Sequence, residues 1–391
     1  MTTNDACPAR PMKRLLLLMM TVLFTVSLPG FARAQVTPAA GYTPPDDTPS
    51  IKVGTTIFYD YTFTQKPTAT DADKNTIHSN AFNVSRAYIN VTGNVSHIVA
   101  FRVTPDIVRE TNTTVATTGS LVFRIKYAFA QFNLDDWMPK GSWIRLGIQQ
   151  TPLIDFVEGI YRYRFQGTVF VEREGPGGSG SFLTSSDAGA SFHAAFPQNY
   201  GDVHVGIYNG EGYSKVEAND QKALQIRGTL RPLPMSPVLR GWRVTGFYDG
   251  DNYIANGPKH RAVFDTTFEH QYVNLGFDYL DTHDQTSGNP APPPIVSNVH
   301  GQGWSFWVTP KFGKGFEALV RYDHMRPDVD NLLKGGNGVN KRTIGGLSYW
   351  FPHQGSVSAA LLFDVENVTF SEFTTAKPTQ QRIAVHGLIN Y

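Results

Sequence analysis

The sequence predicts an all-β fold, a transmembrane antiparallel β-barrel of about sixteen strands with short periplasmic turns and long extracellular loops. Three observations lead there. Segments of alternating apolar and polar residues follow one another through most of the chain, the connections between them alternate long and short, and a short apolar run near the start has the form of an export signal.

The export signal comes first. Lys13 and Arg14 precede the apolar run Leu15 to Leu28, which Pro29 and Gly30 break, and Ala32-Arg33-Ala34 follows. This is the charged, apolar and small-x-small order of a cleavable signal. The run is too short for a spanning helix, which needs about 20 apolar residues. The expected organisation is a signal peptide at 1–34, a Pro/Thr/Asp-rich periplasmic linker at 35–50 and a barrel at 51–391. Removing 1–34 takes Arg10, Lys13, Arg14, Arg33 and Asp5, leaving 30 basic and 32 acidic residues. A chain so nearly neutral lacks the basic face that nucleic acid requires. The single cysteine, Cys7, also lies in the removed part. Without it there is no disulfide framework, thiolate metal site or thiol nucleophile.

The alternating segments are 51–63, 81–94, 97–106, 121–134, 142–150, 188–196, 202–209, 221–231, 241–249, 260–269, 271–281, 301–310, 316–324, 341–350, 356–366 and 380–391. Antiparallel strands through a membrane place every second connection on the same side, which accounts for the alternation of connection length, with one marginal pair in the middle. In the final segment Ile383, Val385, Ile389 and Tyr391 share one face, and Arg382, His386 and Asn390 the other. A terminal aromatic on such a strand is similar to the signal read by the outer-membrane assembly machinery. Aromatics near segment ends, among them Phe58, Tyr59, Tyr61, Phe63, Trp137, Trp143, Trp242, Tyr248, Trp350 and Phe351, fit the girdles at the two lipid interfaces.

A charge on the lipid face near mid-membrane costs about 2–4 kcal/mol for Arg or Lys, so strand charges are expected to point inward. That rule sends Arg86, Arg102, Arg124, Lys126 and Arg145 to one basic wall, with Phe123, Ile125, Tyr127 and Phe129 facing lipid. Arg227, Arg243 and Arg382 are further inward candidates. Asp265, Asp278, Glu317, Asp323 and Asp364 are expected on an opposing, more acidic wall, together with Glu269, Glu366, Arg261 and Arg321. Two such walls would set a field across an aqueous lumen. The other reading is that these charges only solvate the lumen or pair with one another. The longest connection, 151–187, is too apolar for a solvated loop, and folding it into the barrel would bury its apolar residues and narrow the lumen. Asp155, Glu158, Arg162, Arg164, Glu172, Arg173 and Glu174 are then the candidate constriction. An external loop packed on its neighbours or on another subunit is the alternative.

Four stretches occur in order: SRAYINVTGNVSHIVAFRVTPD (85–106), RIKYAFAQF (124–132), WIRLGIQQTPL (143–153) and FVERE (170–174), with Gly147 and Pro152 at the strand end before the third long loop. This resembles the phosphate-selective porin O and P family over part of the first half. The resemblance implies a sixteen-stranded, usually trimeric diffusion channel with its third loop in the lumen. It implies an arginine ladder, to which the basic wall is similar, and a lysine cluster for phosphate. The loop here holds arginines and no lysine. The expected function is passive diffusion of small hydrophilic solutes or inorganic anions through the outer membrane, with outer-membrane lipid around the barrel and a homotrimer as the assembly. No cofactor, catalytic residue or metal site is expected. The rival functions are a barrel enzyme of phospholipase or protease type and a nonconducting structural or adhesive barrel. The histidines, including His193 and His204, form no spaced motif with Ser or Asp.

Overall fold

The computed structural model describes residues 47–391 except 174–180, 218, 255–256, 290–294, 334 and 354–356. The expected signal peptide and residues 35–46 of the expected linker lie outside the described residues. The barrel strands are β1 (Ser50–Lys66), β2 (Asn80–Asn94), β3 (Val99–Arg109), β4 (Leu121–Asn133), β5 (Trp143–Gln150), β6 (Ser186–Ala195), β7 (Gly201–Tyr208), β8 (Ala223–Leu230), β9 (Trp242–Ile254), β10 (Gly257–Glu269), β11 (Val273–Asn289), β12 (Ile295–Gly313), β13 (Phe316–Arg326), β14 (Val339–Trp350), β15 (Ser358–Ser371) and β16 (Gln380–Asn390). Each pairs antiparallel with its sequence neighbours, and β1 pairs with β16 to close a barrel. The seam runs from Thr56↔Asn390 to Lys66↔Gln381, with a bulge after Thr64. Within it the Tyr59 ring lies over Gly387, whose missing Cβ leaves the space the ring occupies.

All sixteen expected segments coincide with strands, and they differ at the ends. β11 and β12 run well past 281 and start well before 301, and their ladder continues to Asn289↔Ile295. Much of the expected loop there is therefore strand. The alternation of connection lengths breaks once. Residues 231–241 form a long connection at the end that carries Ser50 and Asn390, whereas β9 and β10 pair up to Ile254↔Gly257 at the other end. Pro232, Pro234 and Pro237 lie in 231–241 and lack the N–H that a ladder needs.

The barrel is apolar outside and polar inside. Leu146, Ile207, Phe264, Phe306, Val320, Leu347, Phe363 and Val385 are exposed on the outer face, while Arg243, Asp265, Arg321, Asp323 and Asp364 are buried. No helix among the described residues is long and apolar enough to cross a membrane, and the strands provide the span instead.

The expected phase holds until a bulge inverts it. Pro105 cannot donate to the ladder, and the β3–β4 register shifts there from Thr104↔Tyr127 to Pro105↔Ile125. Lys126 is the extra residue. Arg124 and Lys126 face inward as expected, but Tyr127 and Phe129 also face inward, which corrects the lipid-facing placement. Three girdle candidates are corrected in the same way: Phe58, Trp143 and Trp350 are buried in the lumen. Tyr59, Trp137, Trp242, Tyr248 and Phe351 are exposed.

One tether joins the segment before β1 to two turns. His97 Nδ1 lies 2.6 Å from Asp47 Oδ1 and Nε2 lies 2.9 Å from Asp136 Oδ2. The two carboxylates favour the imidazolium, so the His97 pKa lies above its ordinary 6.5. A histidine raised on folding stabilises the fold fully below its unfolded pKa, and that contribution is lost as pH rises through the higher folded value. The tether is therefore expected to weaken from about pH 6.5 upward. NMR titration of the His97 ring should give a midpoint above 6.5 that falls in Asp47→Asn. A wild-type midpoint at or below 6.5 would contradict this.

Candidate functional site

The connection between β5 and β6, residues 151–185, organises the lumen. It opens with a short helix, α1 (Ile154–Tyr161), whose two faces do different work. Ile154, Val157, Ile160 and Tyr161 recur at helical spacing and are buried. Asp155, Phe156 and Gly159 fall on the other side. Arg162 ends the helix in the left-handed region, φ 65°, and its N–H donates to Glu158 O at 3.0 Å.

Beyond the helix, Tyr163, Phe165, Val169, Phe170 and Val171 are buried in one cluster with Trp307, Leu319, Ile344, Trp350, Leu362 and Leu388 of the barrel. Each fully buried side chain of this size contributes roughly 1.5–3 kcal/mol, so burial favours keeping the segment inside. Polar contacts fix where it lies. The Tyr163 hydroxyl is 2.9 Å from Glu317 Oε2 and 2.8 Å from Ser348 Oγ. Gln166 Nε2 donates to Asp364 Oδ2 and to Glu366 Oε2, both at 2.9 Å. Arg321 Nη1 donates to Thr168 O at 2.9 Å. The segment thus covers the inner faces of β12 to β16.

The loop charges are mostly engaged. Arg164 pairs with Glu158, and its Nη2 lies 3.3 Å from Glu172 Oε2. Arg162 sits 4.2 Å above the Trp350 ring and 3.6 Å from Glu317 Oε1. Arg173 Nε lies 3.7 Å from Asp323 Oδ2. Asp155 has no ion pair among the described residues and lines an open cavity. Glu174 lies outside the described residues.

The opposing carboxylates are buried and most are engaged with partners, which favours the reading in which these charges pair over that of two walls across a channel. Asp323 accepts Arg321 Nε at 2.8 Å and Nη2 at 2.7 Å, as well as Ser305 Oγ at 2.8 Å. Glu317 and Asp364 hold the loop through Tyr163 and Gln166, and Asp364 Oδ1 also meets His386 Nε2 at 3.1 Å. Glu366 pairs with Arg342 and, at 2.5 Å, with Arg382. Asp265 and Asp278 stand directly opposite each other on β10 and β11, both buried, and form no ion pair with a base among the described residues. For Glu317, Asp323, Asp364 and Glu366 the physical reason is the loop, which takes their carboxylates as partners.

The basic wall divides into two groups. Arg86 Nη1 and Arg124 Nη2 share Asp106 Oδ2, at 3.7 and 3.5 Å, and Arg124 also donates to the Tyr213 hydroxyl at 2.6 Å. The remaining three form no ion pair among the described residues and rest on rings and amides. Arg102 Nη2 donates to Asn90 Oδ1 at 2.8 Å, and its guanidinium lies 4.4 Å above the Tyr127 ring. Lys126 Nζ donates to the Tyr88 hydroxyl at 3.2 Å. Arg145 stacks 3.8 Å above Trp143 and donates to Gln131 Oε1 at 2.8 Å and Gln150 Oε1 at 3.1 Å.

An unfilled part of the lumen lies between α1 and the inner faces of β5 to β9. A cavity of about 270 Å³ is bounded by Asp155, Phe156, Gly159 and Ile160 on the helix side and by Arg145, Asp202, Arg227, Arg231 and Arg243 on the wall. Arg227 grips Asp202 with two hydrogen bonds, 3.0 and 2.9 Å, and lies 4.1 Å above the Phe156 ring. Arg243 pairs with Glu269. His193 and His204, directly opposed on β6 and β7, also line the cavity, with His193 Nε2 3.5 Å from Asp202 Oδ2. Of these residues Arg231 and Asp202 are lumen groups beyond the expected set. The signal for Arg231 was present: Arg227, Thr229 and Arg231 keep an inward period of two past the end of β8.

A closed sixteen-stranded barrel with an apolar outer face, a polar lumen and a loop folded inside defines the class: a transmembrane β-barrel of the outer-membrane type. No family model matches the chain, and no curated protein matches it. Solved structures do. The anion-selective porin from Comamonas acidovorans superposes with a TM-score of 0.59 at 9% identity, over 88% of this chain and 100% of that one. The outer membrane channel DcaP of Acinetobacter baumannii gives 0.58 at 11% identity, over 90% and 100%. OmpF of Salmonella typhi, solved in complex with daunomycin, gives 0.57 at 11%, over 87% and 97%. At such low identity these likenesses establish the fold.

Proposed function

We propose that this chain is an outer-membrane porin, a passive diffusion channel for small hydrophilic solutes with a preference for anions. The observation that carries the reading is the cavity beside α1, lined by Arg145, Arg227, Arg231 and Arg243 against Asp155 and Asp202, an excess of basic groups even with Arg227 paired to Asp202 and Arg243 to Glu269. Low-dielectric walls of one sign focus a field along a narrow passage and raise the local concentration of the opposite ion. Guanidinium groups also match the paired oxygens of carboxylate and phosphate. The likeness to a porin described as anion-selective supports the reading, as does the resemblance to the phosphate-selective porin O and P family. Phosphate selectivity in the strict sense lacks its lysine cluster, so the solute class proposed is small oxyanions in general. The same reading takes the chain as exported, inserted by the assembly machinery through β16, and trimeric.

The test is single-channel recording of the reconstituted protein in a KCl gradient. The expected reversal potential indicates chloride over potassium, and phosphate added to one side lowers the chloride current. A potassium-preferring channel would overturn the anion preference, and a barrel with no conductance would overturn the porin reading.

A further inference from the structure

We propose that Asp281, His283 and His300 form a binding site for a divalent transition-metal ion of the zinc and copper type, on the outer surface of the barrel at the end opposite Ser50 and Asn390. The three side chains come together through strand register. His283 on β11 stands directly opposite His300 on β12, and Asp281 lies two residues away on the same face of β11. The imidazole rings are stacked, with centroids 4.5 Å apart and planes 4° from parallel. Both Nε2 atoms approach the one carboxylate: His283 Nε2 lies 3.2 Å from Asp281 Oδ1 and His300 Nε2 lies 3.0 Å from Asp281 Oδ2. One ligand atom from each of the three lies within 4.8 Å of the others.

The two His–Asp separations are close to those a tetrahedral ion asks for, and the parallel rings would have to turn to bring both Nε2 lone pairs onto one ion. With bonds of about 2.0–2.2 Å, two ligand atoms on a tetrahedral zinc stand roughly 3.3–3.5 Å apart. Two imidazoles and a carboxylate are borderline ligands that suit zinc, copper or nickel, whereas calcium and magnesium take oxygen sets. Three protein ligands leave a fourth position for water or for a ligand from solution.

The site has access to water. The outward positions of β11 read Leu275, Phe277, Tyr279, Asp281, His283, so the apolar band ends at Tyr279 and turns polar at Asp281. On β12 the same boundary falls between Trp304 and Gln302, one step before His300. Tyr279 and Trp304 mark an interfacial aromatic level, and the candidate ligands stand beyond it. His283 is half exposed. An ion here would clamp β11 to β12 where their ladder leaves the lipid, and would stabilise the barrel by mass action.

The test uses the folded, detergent-solubilised full chain and Zn²⁺ alone. Calorimetric titration is expected to show one saturable Zn²⁺ per chain. The pair H283A/H300A should remove it, and D281N should weaken it by about tenfold or more. H260A, the next histidine in the row, whose Nδ1 lies 2.8 Å from the Tyr248 hydroxyl, should keep it. So should H193A/H204A, which removes the histidine pair in the lumen. Heat-modified migration on gels checks that each variant is folded. If the double variant does not fold, D281N decides the matter, because it changes one atom on the outer surface. Cu²⁺ electron paramagnetic resonance should show nitrogen coupling that H283A/H300A abolishes. Absence of saturable Zn²⁺ binding in the wild type, or binding unchanged in H283A/H300A or in D281N, overturns the proposal.

Discussion

Replacing Arg145 with glutamate is expected to move the reversal potential of the channel from chloride toward potassium, the largest change in selectivity from any single substitution. Arg145 differs from its neighbours in the cavity. Arg227 carries Asp202 and Arg243 carries Glu269, so each of those charges is largely compensated on the spot. Arg145 lies between Trp143, at 3.8 Å, and Phe129, at 4.6 Å, and its hydrogen bonds go to the neutral amides of Gln131 and Gln150. It forms no ion pair among the described residues, and Asp155 on the helix side of the same cavity offsets its charge only from a distance. Reversing one charge about 4 Å from a passing ion changes that ion's energy by on the order of 2–8 kcal/mol, from the water-filled to the partly desolvated limit. A change in permeability ratio of about tenfold or more follows. The amides of Gln131 and Gln150 can turn their nitrogens toward a carboxylate, so the variant has a folded solution. Arg145→Gln should fall between the two. A reversal potential that does not move in Arg145→Glu would remove this residue from the conduction path.

The second expected result concerns the loop. Tyr163→Ala should loosen residues 151–185 from the inner wall, raising single-channel conductance and adding current noise, and should destabilise the barrel by about 3–5 kcal/mol. Tyr163 is where the apolar and polar anchors coincide. Its ring stacks on Phe165 at 5.7 Å and meets Trp350 edge-on at 5.8 Å, and its hydroxyl serves Glu317, Ser348 and the Trp350 indole N–H. Alanine leaves a void and three buried polar groups short of a partner. Tyr163→Phe isolates the hydroxyl and should cost about 1–3 kcal/mol with a smaller change in conductance. Denaturant melts and planar-bilayer recordings measure both quantities. Conductance and noise equal to wild type in Tyr163→Ala would mean that the loop does not limit the passage.

The strands could be read from the sequence because a barrel wall imposes a period of two on every segment, with lipid fixing one phase and water the other. That reading failed where the period itself breaks. Pro105 forces the register shift opposite Lys126, and from there Tyr127 and Phe129 change sides. A proline in the middle of an otherwise regular strand was the available warning. The long loop was visible in its length and apolar content, but the wall it would cover was not. Its anchors, Tyr163 to Glu317 and Gln166 to Glu366, join positions 154 and 200 residues apart, and no local pattern encodes such a pairing. The acidic residues of β13 to β15 could therefore be read either as one side of an open channel or as paired charges, and Glu317, Asp364 and Glu366 bond to the loop. The histidines were missed for a related reason. His283 and His300 are far apart along the chain and share no motif, and the β11–β12 register alone makes them neighbours.

The seam between β1 and β16 bears on how this protein reaches its fold. Thr56 and Asn390 share a hydrogen bond across 334 residues, whereas every other barrel pairing joins consecutive strands. Hairpins can form early, because the loss of chain freedom on closing a contact grows with the length of the intervening loop. The seam is then the last pairing to form. Until it does, β1 and β16 are open edges, each able to take up a strand from another molecule. The interval before closure is when the chain is most exposed to misassembly, and whatever brings the two edges together sets how long that interval lasts.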